Sequence, residues 1–243
     1  MSVDLFTGRP RRLQDFTMKG RRLDLLLSKG YYRMQQDMFT CRYLTVDDVL
    51  CPVHWLRLAT SMVQYGPKQA RLLRINENYS VEIRPLVLTD EIENLYGLYK
   101  DSLDFDTYNS VEACLMDGAI TTLFDTYAVE VRDGNTLIAV GVFDNGEKSI
   151  AGILNIYHPA YRRQSLGKYL MLLKLNHARR QQKDYYYPGY LVSNYPKFDY
   201  KLFVCEAATE VYDENRDQWL PFSWELVNVL AANKLINSRS GQR

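Results

Sequence analysis

Tyr161-Arg162-Arg163-Gln164-Ser165-Leu166-Gly167 stands between an apolar strand pattern, Ser149–Tyr157, and a helical pattern that runs to about Lys183. A strand, a basic turn holding a small residue and a glycine, and then a helix start is a layout suited to an anion or a polarised carbonyl. The first amides of a helix have no partner inside it, and the helix dipole favours negative charge at that end. Gly167 and Ser165 allow a ligand close to the backbone, and Arg162 and Arg163 can bring charge to a phosphate. A solvated turn would show the same spacing, so the neighbouring segments decide the reading.

Upstream, Tyr127–Arg132 and Thr136–Phe143 flank Asp133-Gly134-Asn135, a strong hairpin signal. A second turn at Asp144-Asn145-Gly146 leads into Ser149–Tyr157, which completes an antiparallel meander. Downstream, Tyr185-Tyr186-Tyr187-Pro188-Gly189-Tyr190-Leu191-Val192 reads as a strand interrupted by Pro-Gly, hence an edge or bulged strand. Before the meander, Thr89 or Asp90 can cap a helix through Ser102, with Leu95, Leu98, Tyr99 and Leu103 on its buried side. A further helix is expected over Ser110–Asp117, and a final one over Ser223–Asn237. Residues 31–80 mix short strands and turns, with Val53–Leu58 the best strand, and Arg22–Lys29 is a short helical pattern stopped by Gly30.

The spacing Arg162-x-x-Ser165-x-Gly167 resembles the acyl-donor loop of GNAT acyltransferases, with serine at the first glycine. The basic helix, the Tyr-x-Gly-Tyr strand and Pro196-Lys197-Phe198-Asp199-Tyr200-Lys201 follow in order. That ordered set resembles the catalytic half of the arginyl-/leucyl-tRNA–protein transferase family. Gly30-Tyr31-Tyr32-Arg33, Phe39-Thr40-Cys41, Cys51-Pro52 and Gly66-Pro67-Lys68-Gln69-Ala70-Arg71 follow the order of that family's amino-terminal half. The resemblance implies an α/β (α+β) fold of GNAT type, with a mixed, mostly antiparallel sheet flanked by helices. It implies a smaller amino-terminal subdomain over residues 1–80 and a catalytic domain with a C-terminal helix over residues 81–243.

The implied chemistry is acyl transfer to an amine. In the family the donor is an amino acid esterified to tRNA and the acceptor is the α-amine of a protein, so charged tRNA and a protein or peptide amino terminus are the expected partners. Protein arginylation and N-degron chemistry come with the same resemblance, while a cytoplasmic location is expected because no spanning run or leader pattern is read in the sequence. Tyr157, Arg162, Arg163, Ser165, Leu166 and Gly167 are carried over as donor-binding. Tyr186, Gly189, Lys197, Tyr200 and Lys201 are carried over as contacts to tRNA or acceptor. Asp144, Tyr187 and Tyr190 are carried over as catalytic: the aspartate would orient the donor's ammonium, and a phenol would donate to the oxyanion. Each has an ordinary alternative, since aspartates form turns, tyrosines pack on strands and lysines are solvated. His158 stands before Pro159 where the family often has an acid, so no carboxylate role passes to that position.

Composition sets the outer bounds. Hydrophobic residues make up 47% and charged residues 24% of the 243, ordinary values for a globular chain able to bury a large core. No apolar run reaches spanning length, and Met1-Ser2-Val3-Asp4 lacks a basic flank before an apolar stretch, so neither a membrane span nor a leader is expected. The four cysteines, Cys41, Cys51, Cys114 and Cys205, form no Cys-x-x-Cys pair, and no metal or cofactor is expected; Cys41 and Cys51 are read as buried thiols. Net charge is only +1, yet Arg162, Arg163, Lys168, Lys174, Arg179, Arg180 and Lys183 meet no acid between them, and residues 1–33 are also basic. Such stretches could follow a phosphate backbone or be solvated faces with acids on neighbouring elements. Two function classes stay open: an aminoacyl-tRNA–protein transferase, or a GNAT-type acyltransferase using acyl-CoA together with relatives of it that only bind.

Overall fold

The computed structural model describes residues 17–240. In chain order the elements are α1 (Gly20–Ser28), β1 (Tyr32–Met34), β2 (Asp37–Phe39), β3 (Tyr43–Val46), β4 (Val49–Ala59), α2 (Pro67–Ile75), β5 (Ser80–Pro85), α3 (Asp90–Asp101) and α4 (Val111–Leu115). They are followed by β6 (Thr126–Asp133), β7 (Thr136–Asn145), β8 (Ser149–Tyr157), α5 (Leu166–Arg180), β9 (Tyr185–Val192), β10 (Thr209–Asp213), β11 (Gln218–Pro221) and α6 (Trp224–Ser240).

Nine strands form one sheet, ordered β11-β10-β4-β9-β8-β7-β6-β5 with β3 added on β4. The meander β5-β6-β7-β8 is antiparallel, and the chain then crosses over through α5 to lay β9 parallel to β8. This is the GNAT-type arrangement the sequence implies. β4 lies between β9 and β10, so residues 1–80 supply an interior strand to the sheet that residues 81–243 build. No helix among the described residues is long and apolar enough to cross a membrane.

Burial explains the layers. Leu137 to Asp144 of β7 are buried on both faces, because α5 covers one side and α3 with α4 the other. α5 packs Leu170, Met171 and Leu175 against Val129, Ile138 and Phe143. α3 begins where Thr89 accepts the Ile92 amide, and its buried stripe is Ile92, Leu95 and Tyr96. Counting the 3.6-residue period from that cap turns Leu98 outward, 48% exposed, where the sequence reading had placed it inside. α6 closes the far end of the sheet, with Val227 and Leu230 on Leu56, Leu191 and Val211.

The Tyr-rich strand is central, not at an edge, because β4 occupies its free side. It is bulged, as Pro-Gly implies: Tyr187 and Pro188 oppose Arg57 alone between the Leu56–Gly189 and Leu58–Tyr186 pairs. On its other side it pairs with β8 only over Tyr185 to Tyr187, so Pro188 sits where β8 has already left and no ladder donor is needed.

Candidate active site

β8 and β9 diverge after Ala151 and Tyr187, and the gap between them opens into a cleft of 680 Å³. Its floor holds Gly152, Lys174 and Tyr186. One wall is the start of α5, with Ser165, Gly167, Lys168 and Met171. Tyr99, Leu103 and Phe105 come from the end of α3 and the segment after it, and Tyr195, Lys197, Phe198, Tyr200 and Lys201 from the helical turns after β9.

The donor turn is shaped locally. Pro159 opens a 3-10 turn to Gln164, and the His158 ring accepts the Ala160 amide at 3.2 Å. Ser165 follows at φ 50°, ψ 45°, a left-handed conformation unusual for a residue with a Cβ, and lines the cleft directly before α5. Its carbonyl accepts Lys168 and Tyr169, while the amides of Leu166 and Gly167 meet no carbonyl among the described residues. A Cβ on Gly167 would lie 3.3 Å from the Tyr157 ring, so only glycine leaves this corner open. Tyr157 in turn meets the Tyr99 ring edge-on at 5.0 Å.

The floor is built by close approach. The extra residue Ile153 on β8, opposite the Val142–Phe143 step, makes a bulge. Lys174 is fully buried and donates to the carbonyls of Val142 and Leu154 at 3.1 and 3.3 Å, tying the two strands where the bulge loosens them. Burial pushes its ammonium down to about 7. A Cβ on Gly152 would meet the Tyr186 hydroxyl at 2.8 Å, and that hydroxyl makes no hydrogen bond among the described residues. The Tyr32 hydroxyl donates to the Gly152 carbonyl from the amino-terminal side.

Of the residues carried over from the sequence, Tyr157, Arg162, Ser165, Gly167, Tyr186, Gly189, Tyr190, Lys197, Tyr200 and Lys201 line this one cleft. Tyr190 stacks on Phe198 at 5.2 Å and meets Trp55 edge-on, and burial pushes its phenol up to about 12. Lys197 is tied to Asp104 at 2.8 Å and lies over the Phe105 ring, which joins the two lips of the cleft. Lys201 is 6% exposed and faces this cleft, not open solvent.

Four carried-over residues lie elsewhere. Asp144 is fully buried within β7, not in a turn; Arg33 at 2.8 Å and Thr126 at 2.7 Å hold its Oδ1. Burial nevertheless pushes the Asp144 carboxyl up to about 6, against the pull of Arg33. Tyr187 points to the opposite face, edge-on to Trp219 at 5.6 Å, as the strand alternation after Tyr186 requires. Leu166 is buried in the core beneath α5. Arg163 is exposed beside the cleft without lining it.

The sequence reading passed over Tyr32, Tyr99, Gly152, Asn155 and Lys174. Two carried a signal: glycine inside a strand marks a bulge or close approach, and Gly167, Met171 and Lys174 repeat at i, i+4 and i+7 on one helix face. The basic helix does not present a single stripe. Lys174 is inside, Lys183 donates to the Gly146 and Glu147 carbonyls, and Arg179 and Arg180 line an open groove of 980 Å³ beside β5 that holds none of the carried-over residues. At the amino terminus Arg9, Arg11 and Arg12 lie outside the described residues. No cluster of three or more His, Cys, Asp or Glu that could hold a metal occurs among the described residues.

Residues 91–204, which include the donor turn, the Tyr-rich strand and Lys201, match the family model described as "Arginine-tRNA-protein transferase, C terminus". The chain is 29% identical over 157 residues to an aspartate/glutamate leucyltransferase of Saccharophagus degradans, covering 63% of this chain and 65% of that protein. A protein of the same name from Hahella chejuensis is 27% identical over 171 residues, covering 68% and 70%. One from Pseudomonas entomophila is 31% identical over 137 residues, covering 55% and 58%. The chain thus spans less than two thirds of the length of the first of these relatives. Among solved structures, FemX is similar at TM-score 0.44 and 7% identity, covering 74% of this chain and 63% of that one. L-PGS from Bacillus licheniformis is similar at TM-score 0.37 and 14% identity, covering 73% and 52%. Over residues 91–204 the chain is therefore similar in sequence to the transferase family that its donor turn resembles.

Proposed function

We propose that this chain transfers an amino acid from charged tRNA to the α-amine of an acceptor protein or peptide, with leucine as donor and an amino-terminal aspartate or glutamate as acceptor. The observation that carries the reading is the cleft where β8 and β9 part, because ten residues of the family-like motifs converge on it from a turn, two strands and a second turn. The names of the relatives favour leucine and an acidic acceptor, whereas the name of the family model favours arginine. Protein arginylation is thus the second donor to test, with N-degron chemistry and a cytoplasmic location as its setting.

The chemistry asks little of side-chain nucleophiles. The donor ester is already activated, so positioning and oxyanion stabilisation supply the acceleration. The unpartnered Leu166 and Gly167 amides take the donor's carbonyl or phosphate oxygen. Tyr157 and Tyr99 offer a stacking platform for the terminal adenine. The Tyr186 hydroxyl, free at the cleft floor, is placed to donate to the developing oxyanion. The acceptor amine attacks the carbonyl, the bond to the ribose 3′-oxygen breaks, and that oxygen takes a proton.

The test incubates the protein with tRNA charged with leucine or arginine and with peptides that begin with Asp, Glu, Lys or Met, scored by mass spectrometry. Addition of one leucine to the Asp and Glu peptides, dependent on charged tRNA, is the expected result. Addition of arginine corrects the donor. No addition, with acyl-CoA raising the melting temperature, replaces the reading with a CoA-dependent acyltransferase.

A further inference from the structure

Lys201 reaches the cleft under the Tyr-x-Gly-Tyr strand, and its surroundings are unusual for a lysine. Its ammonium lies 4.5 Å from the Phe198 ring centre, 4.6 Å from Tyr200 and 5.4 Å from Tyr190, and makes no hydrogen bond or ion pair among the described residues. Its stem passes Gly189, where a Cβ would lie 3.2 Å from Cε and where φ is +108°, so a side chain at position 189 would obstruct it. The strand is thus cut to admit this lysine, and no carboxylate among the described residues lies within salt-bridge distance of it; Asp199 acts on it only from further off.

Resting on the transferase reading above, we infer that Lys201 is the general base that takes the proton from the attacking α-ammonium of the acceptor. Three π faces hold its charged form, and no salt bridge or hydrogen bond among the described residues fixes that charge, so losing the proton breaks no ion pair. Burial lowers its ammonium to about 7, with Asp199 on its own turn pulling the other way. Tyr190 from β9, Tyr157 from β8, Tyr99 from α3 and the cations Arg162 and Lys174 share the cleft. Lys168 and Lys197, the latter paired with Asp104, line it as well, and neutral phenols and basic side chains do not reverse that direction. A base poised near the working pH is what general-base catalysis favours. In the step, one N–H bond of the acceptor ammonium breaks and the proton passes to the Lys201 amine. The freed lone pair forms the new C–N bond, the ester C–O bond breaks, and the second amine proton leaves with the ribose 3′-oxygen. Lys201 then releases its proton to solvent.

Three measurements test this. K201M and K201R, checked for a wild-type melting transition, are expected to lower kcat at least about 100-fold with KM for charged tRNA held within about threefold. In K201A, ethylamine is expected to restore part of the lost rate, which repair of a merely structural defect would not do. Competitive labelling of the wild-type protein with acetic anhydride, mapped by mass spectrometry against added Nα-acetyl-lysine amide, is expected to give Lys201 half-reactivity near pH 7. K201R with near wild-type turnover, no rescue by amine, or a Lys201 profile like that of the added Nα-acetyl-lysine amide overturns the assignment. Absence of transfer by the wild-type protein overturns the parent reading, and the assignment with it. The labelling arm identifies that case, because Lys201 then still titrates near neutrality.

Discussion

Gly167 and Lys174 share one face of α5, seven residues apart, and each sets a different property of the cleft. Gly167→Val would press a branched side chain onto the Tyr157 ring, already 3.3 Å from the nearest Cβ position, and would cover the free amides at the helix start. Transfer is expected to fall by at least about 100-fold, with the melting transition still cooperative; normal turnover would remove the turn from the site. Lys174 acts on stability. Its folded pKa, about 7, lies below the unfolded value, so the unfolded chain binds more protons between those two limits. The penalty of burying its charge is therefore complete below about 7 and fades as pH rises toward about 10.4. K174M removes that penalty but also leaves the Val142 and Leu154 carbonyls unmet. The difference in unfolding free energy between wild type and K174M is expected to shift by a few kcal/mol in favour of wild type from pH 6.5 to 9.5. Denaturant titrations at both pH values measure it, and a pH-independent difference would refute a neutralised Lys174.

At the scale of elements, the parting of β8 and β9 depends on Gly152 at the floor and Pro188 opposite it. A valine at 152 has no room, because its Cβ alone would overlap the Tyr186 hydroxyl at 2.8 Å and displace the deepest phenol of the cleft. Gly152→Val is expected to abolish transfer and to cost about 1–3 kcal/mol in unfolding free energy from overpacking. Full activity in that variant would place the chemistry away from the floor. The elements themselves were legible in the sequence, because Asp133-Gly134-Asn135, the Thr89 cap and the Pro-Gly break are local signals with local causes. Which strand stood beside which was not legible. β4 is joined to β9 by pairing across more than a hundred residues, and no periodicity within Val53–Leu58 reports its partner. The burial of Asp144 near the end of β7 was not legible for the same reason: Asp-Asn-Gly reads as a turn, and its partner Arg33 lies far upstream.

For the whole molecule, the amino-terminal segment is part of the sheet and not an appendage. β4 supplies the partner of both β9 and β10, and Arg33 closes the buried pair with Asp144 while its guanidinium also donates to the Leu115 carbonyl and lies over Phe124. Removing one member of such a pair leaves a charge without compensation in the interior, at a cost of about 3–5 kcal/mol. For a chain of this size that lowers Tm on the order of 10 °C, so R33M is expected to melt well below wild type while remaining cooperative. The stronger test is division of the chain at residue 80. A fragment of residues 81–243 lacks β4, which exposes the β9 edge, opens the contact of Leu56 with Leu191 and Val211, and leaves Asp144 unpaired. That fragment is expected to show no cooperative thermal transition by circular dichroism, and the full chain a single one. A cooperative transition in the fragment would mean that β9 and β10 hold the cleft without β4, and that the amino-terminal residues are a separate folding unit.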